Sequence, residues 1–164
     1  MRTSGWSRRG RAAAGVAAAG LAAAAALVAY ELRSPVFGLA QGPLARDPAC
    51  AGIADRYPGR LGGAARDPVT FEGLAVWGRG AVELRCGVTP PAPTTDACVS
   101  VDGVDWVWRE RAGERGYLVT YGRSPAVEVS IARSVSRPDA VLLDLSHLVA
   151  PLPAGAGCRS EEDG

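Results

Sequence analysis

The stretch CVSVDGVDWVW, residues 98–108, decides the fold class, because it has the pattern of a β-hairpin. Asp102-Gly103 at its centre is a favoured two-residue turn between antiparallel strands. This turn sets a register in which one face is apolar and the other polar. The apolar pairs are Val101–Val104, Val99–Trp106 and Ala97–Trp108, and the opposite face carries Cys98, Ser100, Asp105 and Arg109. The hairpin therefore predicts an antiparallel sheet with one buried face.

Three further segments show the same alternation of apolar and polar residues. They are Ala81 to Val88, Tyr117 to Tyr121 and Ala126 to Ile131. Residues 60–72 have no clear periodicity and are predicted to be loop. The strands of the domain thus follow one another along the chain, which is typical of an antiparallel arrangement.

Two helices are predicted to bracket these strands. The first begins after Asp47, a good N-cap, with Pro48 in its first turn. The second is predicted to be capped by Ser136, and its apolar stripe consists of Val141, Leu142, Leu145, Leu148 and Val149. The predicted fold class is α+β: an N-terminal membrane helix followed by a small two-layer sandwich, in which an antiparallel sheet of about four strands packs against two helices.

Residues 12–30, AAAGVAAAGLAAAAALVAY, contain no charge and as a helix span roughly 28 Å, close to the thickness of the hydrocarbon core. Four arginines precede them, which by the positive-inside rule places the N-terminus in the cytoplasm. The segment is predicted to be a transmembrane signal anchor. A cleaved signal peptide, followed by secretion, is the alternative.

The predicted organisation has five parts: a cytoplasmic basic segment at 1–11, the membrane segment at 12–30, a linker at 31–46, an extracytoplasmic disulfide-bonded domain at 47–158 and a tail at 159–164. From Glu31 onward 14 arginines face 17 acids. Such a domain lacks the basic surface of nucleic-acid-binding proteins, so a nucleic-acid partner is not expected. The predicted location is the cell membrane, with a single pass and the C-terminal domain outside.

Four cysteines lie in the predicted outer domain, where an oxidising compartment favours two disulfides. Three pairings are possible. The favoured one joins Cys86 to Cys98, closing a Pro-rich loop, and Cys50 to Cys158, tying the tail to the start of the domain. A zinc site is the weaker alternative, because no pair has CxxC spacing and the chain has a single histidine.

Catalytic chemistry has little support in the sequence. His147 is the only histidine, no G-x-S-x-G accompanies it, and no phosphate-binding glycine motif is present. Carboxylates of Asp102, Asp105, Glu83 and Glu128 could meet as an acid–base pair, but nothing in their spacing singles them out. We therefore predict no catalytic residue, no cofactor and no metal.

Two segments share an aromatic-Gly-Arg turn followed by a strand, Trp77-Gly78-Arg79 and Tyr121-Gly122-Arg123. Either the two arginines converge on an acidic ligand, or the same type of turn simply occurs twice and has a structural role in each place. The aromatic residues offer either a stacking platform for a glycan or peptide, or ordinary core packing. The candidate ligand contacts are Arg79, Arg123, Trp77, Trp108 and Tyr121.

Three blocks carry a family resemblance: WGRGAVELRCGV, VDGVDWVW and TYGRSPAVEVSI, in this order behind a hydrophobic segment. Together they resemble the actinobacterial domain-of-unknown-function 3515 family over about residues 50 to 158. The pattern includes Cys86 and the block from Thr120 to Val129. The resemblance implies a small membrane-associated or exported protein and supplies no activity or site residues.

These observations favour a membrane-anchored, extracytoplasmic binding or structural module of the bacterial cell envelope, and not an enzyme. Its partners are expected to be the membrane, through the N-terminal helix, and an envelope protein or glycan. The alternatives are an accessory subunit of a membrane protein complex and, with less support, an enzyme acting on envelope polymers.

Overall fold

A computed structural model of the chain describes residues 8–32, 38–110 and 116–158. The chain divides into two compact units, residues 1–37 and 38–164. The described part of the first unit is one helix, α1, Arg8–Leu32. Residues 1–7 of the predicted basic segment and the predicted tail, 159–164, lie outside the described residues.

The predicted transmembrane helix is wrong. Helix α1 covers the predicted segment, but no helix in the described part of the chain is long and apolar enough to cross a membrane. The physical reason is its composition, since 12 of the 19 residues from 12 to 30 are alanine. A methyl side chain buries little apolar area, so the absence of charge in this segment does not make it strongly apolar.

The second unit contains the strands and two further helices. Its elements are α2 Pro48–Ala54, β1 Arg60–Leu61, β2 Ala64–Ala65, β3 Leu74–Trp77, β4 Val82–Val88, β5 Cys98–Val101, β6 Val104–Arg109, β7 Tyr117–Tyr121, β8 Ala126–Ile131 and α3 Pro138–Val149. Strands β1 and β2 form a small hairpin of their own. The other six form one antiparallel sheet in the order β3-β4-β8-β7-β6-β5.

The predicted sheet of about four strands is therefore too small. Strand β3 was not predicted because all four of its residues, LAVW, are buried. A strand covered on both faces has no alternation of apolar and polar residues, so its pattern does not distinguish it from other buried segments. Strands β1 and β2 have two residues each, which is too short for any periodicity.

The hairpin at residues 98–108 has the predicted register. Val99 lies opposite Trp106, and Val101 lies opposite Val104 across the Asp102-Gly103 turn. Asp102 adopts a left-handed backbone conformation with φ 48°, as the turn requires. The predicted strands at 81–88, 117–121 and 126–131 are also present. Local sequence thus predicted the pairing of β5 with β6 at one edge of the sheet and the positions of β4, β7 and β8.

One face of the sheet, here called the helix face, packs against α2 and α3. Its buried side chains include Leu84, Trp106 and Val129. The predicted stripe of α3 lies in the same core, with all five of its residues buried. The opposite face of the sheet is here called the outer face. The two helices therefore cover one side of the sheet.

Of the two predicted N-caps, the one of α2 is confirmed and the one of α3 is wrong. The Asp47 side chain accepts a hydrogen bond from the Ala49 amide at 2.8 Å, and Pro48 begins α2 as predicted. Helix α3 begins at Pro138 with Arg137 in the cap position and no side-chain cap bond. The prediction that Ser136 caps α3 is therefore wrong by one residue.

Residues 38–46 pack onto the sheet before α2 begins. The Leu44 amide donates to the Gly87 carbonyl at 2.8 Å, and Ala45 is buried. The Arg85 guanidinium donates to the Ala40 carbonyl at 3.2 Å from the outer face. The compact unit thus includes part of the segment that the sequence predicted to be linker.

The four cysteines form two disulfides, as predicted, but the favoured pairing is wrong. Cys50 of α2 pairs with Cys86 of β4 across a Cα separation of 5.7 Å, and Cys98 of β5 pairs with Cys158 across 6.6 Å. Cys86 lies on the helix face beneath α2, whereas Cys98 lies on the outer face with Ser100. Side chains on opposite faces of a sheet cannot reach each other, so Cys86 cannot bridge to Cys98.

A buried hydrogen-bond relay connects the sheet to α3. The Trp106 indole N–H donates to Ser146 Oγ at 2.9 Å, and that hydroxyl donates to the Leu142 carbonyl at 2.9 Å. Both side chains are fully buried. Tryptophan can be buried here because its one polar atom has an acceptor.

Replacing Ser146 with alanine is expected to destabilise the protein by about 1–3 kcal/mol, because the Trp106 N–H then lacks an acceptor in the core. Chemical denaturation measures the change. Ser136→Ala is the matched control, since Ser136 is exposed, and its expected change is within about 0.5 kcal/mol. Equal costs for the two variants would contradict a structural role for the relay.

Candidate functional site

The candidate ligand contacts predicted from the sequence do not form one site. The turn that carries Arg79 precedes Val82 of β4, which pairs with Ile131 at the end of β8. The turn that carries Arg123 precedes Ala126 at the start of β8. The two arginines therefore lie at opposite ends of the sheet, and they do not converge on a ligand.

Arg123 is a structural residue. It is buried, and its guanidinium donates to the carbonyls of Ala150 and Leu152 at 2.6 and 2.7 Å and to that of Gly103 at 3.2 Å. These bonds join the end of α3 to the β5–β6 turn. Its donors are thus occupied by main-chain oxygens, which removes Arg123 from the ligand contacts.

Trp77 is also part of the core. It is fully buried, and its indole N–H donates to the Pro58 carbonyl at 2.9 Å. Trp108, in contrast, is 46% exposed on the helix face of β6. Tyr121 is half-buried and lies opposite Asp105 on the outer face. Trp108 and Tyr121 therefore project from different faces and cannot build one stacking platform.

Three of the four carboxylates considered for acid–base chemistry have separate partners in the described part of the chain. Glu128 pairs with Arg85 at 2.6 Å, and Asp105 accepts the Cys158 amide at 2.8 Å. Asp102 pairs with His147 at 2.8 Å on the surface. The sulfurs of Cys98 and Cys158 lie near the Asp105 carboxylate, but they are joined in a disulfide and supply no thiolate for a metal.

A cleft of about 430 Å³ opens where α2 ends and the loop before β3 folds back. We call it the Tyr57 cleft. Its volume lies within the range typical of ligand sites and is similar to those of two other clefts of the described residues, about 440 and 450 Å³. Its lining residues are Ala54, Tyr57, Arg66, Asp67, Pro68, Val69, Phe71, Glu72, Gly73, Leu74 and Ala75.

The main chain holds the two sides of the cleft in place. The Arg66 amide donates to the Gly59 carbonyl at 2.9 Å, and the Asp67 amide donates to that of Val76 at 2.8 Å. The chain then loops out and returns through Gly73, whose φ is +72°. A Cβ at this position would lie 2.7 Å from the Cys86 carbonyl oxygen, so only glycine fits the return.

Tyr57 forms an aromatic wall of the cleft. Its ring meets that of Trp77 edge-on, with centroids 6.1 Å apart and an interplanar angle of 80°. The hydroxyl oxygen is buried, and no described residue hydrogen-bonds to it. Burial raises the pKa of this hydroxyl well above its usual value, against a smaller opposing effect of the Arg66 charge. The group is therefore a protonated donor with no acceptor among the residues that the structure describes.

The other polar side chains of the cleft differ in how many hydrogen bonds and ion pairs they form. The exposed Arg66 side chain donates once, to the Tyr57 carbonyl at 3.1 Å. Asp67 Oδ2 accepts the Arg79 amide at 2.6 Å, and Glu72 pairs with Arg46 at 2.8 Å. Phe71 is 51% exposed at the cleft. An apolar surface thus lies beside a guanidinium with unused donors.

The sequence did not predict this cleft. Tyr57 lies beyond the end of α2, and residues 60–72 were predicted to be loop. The only local signal is an exposed aromatic, Phe71, in a segment that also carries Arg66 and two acids. Such a composition is common in loops, and the cleft depends on long-range contacts to Val76 and Cys86.

The family model for DUF3515, described as a protein of unknown function, matches residues 12–156 of the chain. No curated protein and no solved structure matches it. The match bears out the family resemblance, whereas it does not confirm the actinobacterial and membrane-associated descriptors.

Proposed function

Since the chain belongs to DUF3515, a family of unknown function, we propose from its geometry that it is a ligand-binding module of the cell envelope, working outside the cytoplasm. The single observation that carries the proposal is the Tyr57 cleft. It combines an exposed apolar surface with polar groups that have unused hydrogen-bonding capacity. This combination is typical of binding sites for small molecules.

The extracytoplasmic location is supported by the cysteines. All of the described cysteines are in disulfides, and Cys50–Cys86 lies in the fully buried core. Proteins of oxidising compartments use disulfides in this way, whereas cytosolic thiols are kept reduced. The cell envelope is such a compartment. The protein would reach it either by export of the intact chain or by secretion after cleavage of a signal peptide.

Three of the four carboxylates considered for acid–base chemistry have separate partners in the described part of the chain, and this arrangement adds no support to the enzyme hypothesis. Exposed Trp108 remains compatible with an envelope glycan or protein partner, and the exposed Val99 lies on the same face of the sheet. The accessory-subunit hypothesis gains no specific contact either. The binding module is therefore the function that the geometry supports best.

A reporter fusion tests the compartment. Alkaline phosphatase fused after Gly164 needs its own disulfides, so it is active only outside a reducing cytoplasm. We expect the fusion to be active in cells, and a β-galactosidase fusion at the same point to be inactive. The reverse pattern would overturn the extracytoplasmic part of the proposal.

Replacing Phe71 with alanine is expected to weaken ligand binding about tenfold, because a half-exposed ring in the cleft supplies apolar contact to the ligand. The probes are octanoate, octanamide and octylammonium, each below its micelle concentration. Binding is measured from the NMR shifts of the Gly73 and Leu74 amides. We expect at least one of the three probes to shift these amides in the unmodified protein.

Leu143→Ala is the matched control for this prediction, since Leu143 is 40% exposed on α3 and does not line the cleft. Its binding should equal that of the unmodified protein. If none of the three probes shifts the cleft amides, or if both variants lose binding alike, the Tyr57 cleft is not the binding site.

A further inference from the structure

We propose that the Tyr57 cleft recognises a carboxylate attached to an apolar chain. This inference rests on the proposed binding function and specifies its ligand. Three features carry it: the charge of Arg66, the hydroxyl of Tyr57 and the exposed apolar surface around Phe71.

Arg66 supplies the positive charge. None of the described carboxylates forms an ion pair with it, and its side chain makes one hydrogen bond, to the Tyr57 carbonyl. A guanidinium carries five N–H donors in a planar fork, and a carboxylate accepts two of them side by side. Arg66 therefore has the charge and the free donors for a bidentate bond with a carboxylate.

The two acids of the cleft already have donors. Asp67 Oδ2 accepts the Arg79 amide at 2.6 Å, and the Glu72 carboxylate pairs with Arg46 at 2.8 Å. A cationic ligand would have to compete with these bonds, whereas an anionic ligand meets a guanidinium with no acidic partner among the described residues. The lining contains one arginine and two acids, so an anion is favoured by direct contact with the Arg66 guanidinium and not by the net charge of the cleft.

The Tyr57 hydroxyl supplies a second donor. It is buried and protonated, and it makes no hydrogen bond with any described residue. Buried polar groups without a partner are uncommon in folded proteins, since each forfeits the bond that it makes in water. A ligand oxygen held by Arg66 would restore that bond, because Tyr57 and Arg66 both line the cleft and the Arg66 guanidinium donates to the Tyr57 carbonyl at 3.1 Å.

The apolar part of the ligand follows from the remaining lining. Phe71 is 51% exposed, and Val69, Leu74 and Ala54 complete the apolar side of the cleft. A volume of about 430 Å³ accommodates a chain of roughly eight carbons. A carboxylate with no apolar chain would leave this surface in contact with water.

The test compares the three probes already named, which share one chain length and differ in charge. We expect octanoate to bind the unmodified protein at least tenfold more tightly than octanamide, because it adds a charge-assisted bidentate bond. Octylammonium is expected to bind more weakly than octanamide. N-acetyl-Ala-Leu with a free carboxylate, compared with its amide, distinguishes a peptide terminus from a fatty acid as the source of the carboxylate.

Two variants separate ligand recognition from folding. Tyr57→Phe removes a hydroxyl that makes no hydrogen bond with any described residue, so the stability should be unchanged while octanoate binding falls about tenfold. Arg66→Gln should abolish the preference for octanoate over octanamide. Arg56→Gln is the matched control, because Arg56 is exposed and does not line the cleft.

The outcomes distinguish this inference from the function on which it rests. If octanoate and octanamide bind equally, and Arg66→Gln leaves that ratio unchanged, the carboxylate inference is overturned while the cleft remains a binding site. Preferential binding of octylammonium also overturns it. If no probe shifts the Gly73 and Leu74 amides, the proposed function fails together with the inference.

Discussion

Replacing Arg123 with methionine is expected to lower the free energy of unfolding by about 3–5 kcal/mol, the largest effect of any single substitution proposed for this protein. The guanidinium donates to three carbonyls, those of Ala150, Leu152 and Gly103. Methionine has a similar length but no donor, so the buried bond to Leu152 and the two part-buried bonds to Ala150 and Gly103 are all lost. Chemical denaturation with an unchanged m-value would measure the loss.

The turn motif that occurs twice in the chain provides the control. Arg79 occupies the equivalent position in the first turn, but its side chain is exposed, and its main-chain amide makes the bond to Asp67. Arg79→Met is therefore expected to change stability by less than about 0.5 kcal/mol. Similar costs for the two variants would show that Arg123 does not act through its buried hydrogen bonds.

Removing the buried disulfide with the double substitution Cys50→Ala, Cys86→Ala is expected to cost about 4–5 kcal/mol. Its ends are 36 residues apart, and loop-closure entropy alone corresponds to about 4 kcal/mol for a loop of that length. Both cysteines are fully buried in the core, so the lost sulfur atoms add a packing cost. Thermal and chemical denaturation of the oxidised protein measure the difference.

The second disulfide is the matched comparison, because its loop of 60 residues gives a similar entropy. Cys98 is exposed, so the double substitution Cys98→Ala, Cys158→Ala adds no packing cost and is expected to be the milder of the two. Non-reducing peptide mapping provides the independent check. Recovery of a Cys86–Cys98 peptide from the native protein, or a greater loss from the exposed pair, would contradict this disulfide arrangement.

The wrong disulfide pairing and the wrong membrane helix have a common origin. Loop length favoured the Cys86–Cys98 pairing, but the alternation along the strands places these residues on opposite faces of the sheet. Likewise, an uncharged alanine run satisfied the length of a membrane helix without the apolar character that crossing requires. In both cases the sequence met a requirement of length. It did not meet the second requirement, which is the reach between the two sulfurs for the disulfide and sufficient apolar area for the membrane helix.

The sequence by itself determined the elements whose signals are local. The Asp102-Gly103 turn set the hairpin register, the alternation in β4 and β8 marked their buried faces, and Asp47 marked the start of α2. Each depends on residues within a few positions of one another, because turn geometry, pleat and helix capping act over that range. The family resemblance depended on the same local blocks.

Only the tertiary structure decided which residues are available to a ligand. It buried Trp77 and Arg123, left Trp108 exposed, and joined the Arg66 side chain to the Tyr57 carbonyl nine residues earlier in the chain. The exposure and the hydrogen-bond partners of a residue depend on what packs against it. Packing between distant segments produces no periodic pattern of residues in the sequence. The fold is therefore largely visible in local patterns, whereas the candidate site exists only once β3 and the loop before it have closed against α2.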